Sequence, residues 1–148
     1  MAGMAGTYNR SQLHISADAM MAALARIGIA PGGITSLTVV GRRSGRPHTL
    51  PITPITVDGR RYLVAPYGPV GWVLNLRAAG HATLKRGRRR ERIRAIELAP
   101  PQAAPVLRAY AEKIPLVRPQ FAAAYDDPLE DFVAIAPKHP VFALTPVD

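Results

Sequence analysis

The 148-residue sequence contains no cysteine. That absence removes disulfides, iron–sulfur clusters, thiolate zinc sites and cysteine nucleophiles together. The four histidines, His14, His48, His81 and His139, are far apart and show no ligand spacing such as H-E-x-x-H, so no metal site is expected. Aromatic residues make up only 6% of the chain, with Trp72 the single tryptophan. No apolar run approaches the ~20 residues needed to cross a bilayer. The first residues, Met1 to Gly6, lack the long apolar core of a signal peptide. No Ser/His/Asp order or paired carboxylate site stands out for hydrolysis. The expectation is a soluble, cytoplasmic protein whose chemistry would come from a cofactor, with the chain supplying binding and orientation.

Acidic residues are scarce where basic ones are dense. Residues 1–100 hold 15 Lys/Arg against 4 Asp/Glu, residues 101–148 hold 4 against 6, and the formal net charge is +9. Arg42, Arg43 and Arg46 form one cluster; Lys85, Arg86, Arg88, Arg89, Arg90, Arg92 and Arg94 form another, interrupted by Glu91. Such a field attracts a polyanion: nucleic acid, an acidic membrane surface, or a ligand with an anionic tail. The plainer alternative for Lys85 to Arg94 is a solvated hairpin tip. Nucleic acid is the weaker reading, because the segment has no interleaved aromatics to stack on bases.

The hydrophobic fraction of 48% and the length fit one globular domain over residues 1–148, with residues 1–15 expected to be flexible. Ser16 suits an N-cap, Met20, Met21, Leu24 and Ile27 recur at helical spacing, and Gly28 suits the stop. Ile34 to Val40 reads as a strand. Thr49 to Val57 resumes extended structure, with Pro51 and Pro54 pointing to an edge or a bulge. Asp58-Gly59 signals a hairpin to Arg61–Ala65. After the Pro66–Pro69 turn comes a short helix from about Gly71 to Ala79. His81 to Arg86 and Glu91 to Leu98 make a hairpin around Gly87. Pro101 to Ile114 is helical, Leu129 to Ile135 reads as a short helix, and Val141 to Leu144 as a last strand. The class is α+β: five or six short, mainly antiparallel strands in a small barrel with flanking helices.

The segment G-R-R-S-G-R-P-H-T-L-P-I, Gly41 to Ile52, follows the first strand. Such a turn can aim backbone N–H groups, the Ser44 hydroxyl and planar guanidinium donors at one anion. The alternative is a basic hairpin turn touching only water. On the helix after Gly71, Trp72, Asn75, Leu76 and Ala79 share one face. Trp72 could wall a ring system and Asn75 serve its polar edge; alternatively Trp72 is core and Asn75 bonds a nearby turn.

In order, G-R-R-S-G-R-P-H-T-L-P-I, D-G, Y-L-V-A-P-Y-G and G-W-V-L-N-L-R-A-A-G resemble the deazaflavin-dependent nitroreductase family, also called deazaflavin-dependent quinone reductases. The resemblance covers about Ile34 to Gly80. It implies a split β-barrel that binds coenzyme F420, an 8-hydroxy-5-deazaflavin with a phosphodiester and glutamate tail, and passes a hydride to a quinone, activated alkene or nitro compound. By the same resemblance, Arg42, Arg43 and Ser44, with Gly45, grip the phosphate and tail. His48 stands where many members have arginine, which weakens one anionic contact or makes it pH-dependent. Thr49, Leu50, Pro51, Ile52 and Thr53 run beside the ring, Ala65, Pro66, Tyr67 and Gly68 form the next loop, and Gly71, Trp72, Val73, Leu74 and Asn75 the helix start. The loop from Tyr67 to Trp72 is shorter than in nitroimidazole-reducing members, which puts that activity in doubt. Tyr67, Phe121 and Tyr125 are candidate walls for the acceptor. An FMN-binding split barrel is the alternative within the fold. A homodimer and a peripheral contact with an acidic membrane are both compatible with this reading.

Overall fold

The computed structural model describes residues 35–124 and 126–147. The helix expected from Ser16 to Gly28, residues 1–15 and Tyr125 lie outside the described residues. Seven strands form one sheet: β1 Thr35–Val40, β2 Pro47–Ile52, β3 Ile55–Val57, β4 Arg60–Val64, β5 His81–Arg86, β6 Arg89–Glu97 and β7 Val141–Pro146. The helices are α1 Gly71–Ala79, α2 Pro100–Lys113 and α3 Leu129–Ile135, with 3-10 turns at Pro115–Gln120 and Ala136–Lys138.

The strand order is β2-β1-β5-β6-β7-β4-β3, with every neighbouring pair antiparallel. The two edge strands, β2 and β3, are consecutive in the chain and separated only by Thr53 and Pro54. A flat seven-stranded sheet would hold its edges nearly 30 Å apart (about 4.8 Å per strand). Three peptide units from Ile52 to Ile55 reach about 11 Å at most. The sheet must therefore curl back on itself, and the half-barrel is a consequence of this connection.

That connection also explains why there are seven strands where about six were expected. Thr49–Val57 reads as one extended segment in sequence, but the chain leaves one edge at Ile52 and joins the other at Ile55. Pro54, which has no N–H to give a ladder, stands at the corner.

Alternation along the strands divides the apolar residues between two cores. Leu37, Val39, Ile52, Leu63, Leu84, Ile93 and Phe142 fill the barrel together with Val73 and Leu76 of α1. The neighbouring Val64 faces the other way, into a second core with Ile55, Val141, and Val106, Leu107 and Tyr110 of α2 and Phe132 of α3. Thus α2 packs over β3, β4 and β7, with α3 against it. Tyr110 is 2% exposed, and burial pushes its phenol well above the usual range.

His139 is the buried titratable group that couples these layers. It is 7% exposed, its ring meets Phe121 edge-on at 4.6 Å, and its Nδ1–H donates to the Pro66 carbonyl at 3.0 Å. Burial holds its imidazole below the usual histidine range, and the bonds to the Pro66 and Ala65 backbone oppose that shift only in part. As pH falls, the unfolded chain takes up this proton first, at about 6.5. Stability from the neutral ring is thus present above that pH and lost below it. Asparagine at this position retains a nearby N–H donor without titrating. Thermal midpoints measured between about pH 7.5 and 5 should accordingly fall less for His139→Asn than for wild type. Parallel curves would show that His139 does not carry the acid sensitivity.

Candidate functional site

The cationic turn closes between β1 and β2. Gly41 N–H donates to the Arg46 carbonyl at 2.8 Å, and Gly45 N–H to the Gly41 carbonyl at 3.0 Å. Gly45 adopts φ 72°, a left-handed conformation that glycine occupies without penalty. Ser44 Oγ accepts from Arg46 N–H at 3.1 Å. In the β1–β2 register His48 lies opposite Val39, which brings its Nε2 to 3.4 Å from Ser44 Oγ.

Gly41 leaves the space in which two side chains meet. A Cβ on it would stand 2.6 Å from His48 Nε2 and 2.7 Å from Ser44 Oγ. Any side chain at Gly41 would push those two polar groups apart. Arg43 and Arg46 are exposed, and neither guanidinium has a partner among the described residues.

Arg42 is tied to α1. Its backbone N–H and its Nη1 both donate to Asn75 Oδ1, at 3.0 and 2.8 Å. Asn75 is 8% exposed on α1, between Trp72 and Ala79 in the chain. The turn is therefore anchored to the helix by one side-chain oxygen. Of the two readings of Asn75, the structure shows the bond to the turn, which commits Oδ1.

Along β2 the expected ring-side residues divide between faces. Leu50 and Ile52 point into the barrel opposite Leu37 and Thr35, and Ile52 is 7% exposed. Thr49 and Pro51 face outward, and Thr49 Oγ1 lies 2.8 Å from Thr38 Oγ1. A ligand along this strand meets one set through side chains and the other through backbone. At the end of β2, Thr53 Oγ1 is buried with no hydrogen-bond partner. An unsatisfied buried hydroxyl costs about 1–3 kcal/mol, so a group that pairs with it would be favoured.

Ala65, Pro66 and Gly68 are buried and Tyr67 partly so. Ala65 N–H donates to the Pro140 carbonyl at 2.9 Å, and Gly68 N–H to the Ala65 carbonyl at 3.2 Å. In α1, Gly71 is exposed, Val73 is fully buried, and Leu74 and Trp72 are partly buried. The Trp72 ring lies 6.2 Å from Phe142, tilted by 49°, so Phe142 backs it.

Phe121 lies in the second core, between Tyr110 and His139, at 7% exposure. It reaches the Pro66–Tyr67 loop through the His139 ring, which donates to the Pro66 carbonyl, and it packs on Tyr110, which feels Tyr67. His139 and Phe142 were not singled out from sequence. Neither carries a spacing signal, and their relevance appears only when β7 is placed between β4 and β6.

The turn, β2 and α1 thus carry exposed arginines, a hydroxyl beside an imidazole, and an indole on the helix to which the turn is tied. That donor set fits a phosphorylated ring cofactor: the cations and Ser44 suit an anionic tail, and Trp72 a flat ring.

Among solved structures the chain is similar to an F420-H2 dependent reductase, FDR-A, at 18% identity, TM-score 0.52, covering 76% of this chain and 93% of that one. It is also similar to an FMN-binding, pyridoxamine 5'-phosphate oxidase-related protein of Nostoc punctiforme, at 16% identity, TM-score 0.53, covering 88% and 79%. A domain-swapped dimer matches at 17% identity, TM-score 0.54, covering 86% and 98%. At these identities the likeness shows the split-barrel fold alone. No curated protein matches the chain in sequence. The sequence profile of the F420H(2)-dependent quinone reductases matches residues 12–125, a span that takes in the cationic turn, β2 and α1. The fold permits either flavin or deazaflavin chemistry, but the profile decides between families: the chain belongs to the F420H(2)-dependent quinone reductases and is an oxidoreductase.

Proposed function

We propose that this chain binds reduced coenzyme F420 between the Gly41–Arg46 turn and α1 and delivers a hydride to a small electron-poor acceptor, a quinone first, or else an activated alkene or nitro compound. The observation that carries the reading is the anchored turn, in which Asn75 holds Arg42 and so ties the segment that carries Arg43, Ser44 and His48 to the Trp72 helix.

Bound there, the cofactor supplies the hydride. The chain does the rest. Arg43 and Arg46 neutralise the anionic tail, and Ser44 and His48 offer further polar contacts within the turn. Trp72, backed by Phe142, limits the position of a ring along the wall. The Thr53 hydroxyl awaits a polar edge at the end of β2. Tyr67 is the acceptor-side residue; Phe121, buried in the second core, would act through His139 or Tyr110 rather than by contact. A homodimer is consistent with the fold relative that is a domain-swapped dimer.

Trp72 is the sole tryptophan, so its fluorescence reports on this wall alone. Titration with F420 should quench or shift it with a micromolar dissociation constant, and FMN should compete poorly. Binding of FMN with no binding of F420 at micromolar concentration would overturn the proposal in favour of a flavin-dependent split barrel.

A further inference from the structure

The β5–β6 hairpin carries more positive charge than its fold can use. Its register sets Lys85 directly opposite Arg90 and Arg86 directly opposite Arg89, with Arg88 in the turn between. Like charges facing each other across two strands destabilise the pair. The nearby carboxylates relieve them only in part, through the attraction of Glu91 for Arg89. From residue 60 to residue 111 the acidic residues are Glu91 and Glu97. Glu91 accepts both guanidinium nitrogens of Arg61, at 2.8 and 2.7 Å, and Glu97 accepts two from Arg77, at 2.7 and 2.8 Å.

The tip of this hairpin is separate from the cofactor turn. Thr35, at one end of β1, pairs with Arg86, whereas Val40, at the other end, leads into the Gly41–Arg46 turn. Five residues of strand place the tip cations, Arg86 and Arg89, about 17 Å from the turn, while the ladder runs back along β6 to Arg94, opposite His81.

Lys85, Arg90, Arg92 and Arg94 all point to the outer face of the sheet, opposite the buried Leu84, Ile93 and Ala95, and all four are exposed. The exposed large hydrophobic residues among those described, Ile96 at 56% and Val40 at 45%, lie on the same face. The helix α2 covers the opposite part of the wall, over β3, β4 and β7.

We propose that this outer face of β5 and β6 docks the protein on an anionic phospholipid bilayer. A bilayer surface spreads negative charge over a plane, as this face spreads its cations, and it also accepts aliphatic side chains such as Ile96. Nucleic acid fits less well: among the described residues the face has no Phe, Tyr or Trp on which a base could stack. A second copy applied face to face would set the cationic ladder against itself. The choice of a bilayer rests in part on the quinone acceptor proposed above, since a lipid-soluble acceptor is met at a membrane. The binding itself is read without cofactor or acceptor, so its failure is distinguishable from failure of the reductase reading.

The test is co-sedimentation of the full chain with vesicles of phosphatidylcholine, with and without about one third phosphatidylglycerol, at about 0.1 M salt. Binding should require the anionic lipid and weaken as salt rises. The triple variant Arg90→Gln, Arg92→Gln, Arg94→Gln should lose on the order of a hundredfold in partitioning, while Arg108→Gln on α2 should not change it. The triple variant should also unfold at a higher temperature at low salt, because the ladder is relieved; a folded, more stable protein that no longer binds would exclude misfolding as the cause. No binding to the anionic vesicles, equal binding to neutral ones, or equal effects of the triple variant and Arg108→Gln would overturn the proposal. Tighter binding to mixed-sequence duplex DNA than to vesicles at the same salt would replace the bilayer with nucleic acid.

Discussion

Asn75→Ala should lower thermal stability and cofactor affinity together. Its Oδ1 accepts from both the backbone N–H and Nη1 of Arg42, across 33 positions of sequence. One of these bonds is charge-assisted, and the oxygen is nearly buried. Losing both should cost about 1–3 kcal/mol, tempered because water can reach the exposed Arg42. Affinity should fall about tenfold or more, since the turn would no longer be held against α1 before the ligand arrives and ordering it would be charged to binding. Asn75→Asp separates the two effects. It retains an acceptor for Arg42, so stability should hold or rise, but it sets a carboxylate beside the anion site, so affinity should fall. Calorimetry and Trp72 titration measure the two quantities independently. An Asn75→Ala protein with wild-type stability would show that the Arg42 bond does not anchor the turn. An Asn75→Asp protein with wild-type affinity would place the anion elsewhere.

The hairpin at Asp58-Gly59 was legible because its cause is local. Both residues take left-handed backbone, φ 52° and 79°, and the dipeptide itself favours that. The helix Gly71–Ala79 was legible for the same kind of reason, since apolar spacing sets its buried face and Gly80, at φ 77°, ends it. The break at Thr53–Pro54 was not, because nothing in Thr49–Val57 says that the two halves join opposite edges of one sheet. That information resides in the pairing of β1 with β5 and of β4 with β7.

The candidate site shows the same division. The cationic turn and the Trp72/Asn75 face were each visible as separate patterns. Their direct contact through Arg42 was not, although the family order of motifs brought both into one cofactor site. Between Pro115 and Gln120 two prolines interrupt any apolar period, so a 3-10 turn there was unreadable, and with it the burial of Phe121 against His139.

Arg43→Ala should weaken F420 binding about ten- to a hundredfold while leaving the fold unchanged. Arg43 is exposed and makes no contact among the described residues that would hold the turn in shape, so stability has little to lose. What it can give a phosphate is a charge-assisted, planar pair of donors, worth about 1.5–3 kcal/mol. Arg43→Lys should fall between, because an ammonium keeps the charge but not the fork. Arg89→Ala removes the same formal charge from the tip of the β5–β6 hairpin. That tip lies about 17 Å from the turn along β1, beyond the ~8 Å screening length at physiological salt. Its effect on cofactor affinity should therefore be small, and smaller still as salt rises. Titrations of the three variants in parallel decide whether a site or a field does the binding. If Arg43→Ala and Arg89→Ala lose affinity equally, the net charge of the chain is sufficient and the turn has no special role. A large loss at Arg43 alone means that the geometry held by Gly41, Ser44, His48 and Asn75 selects the anion.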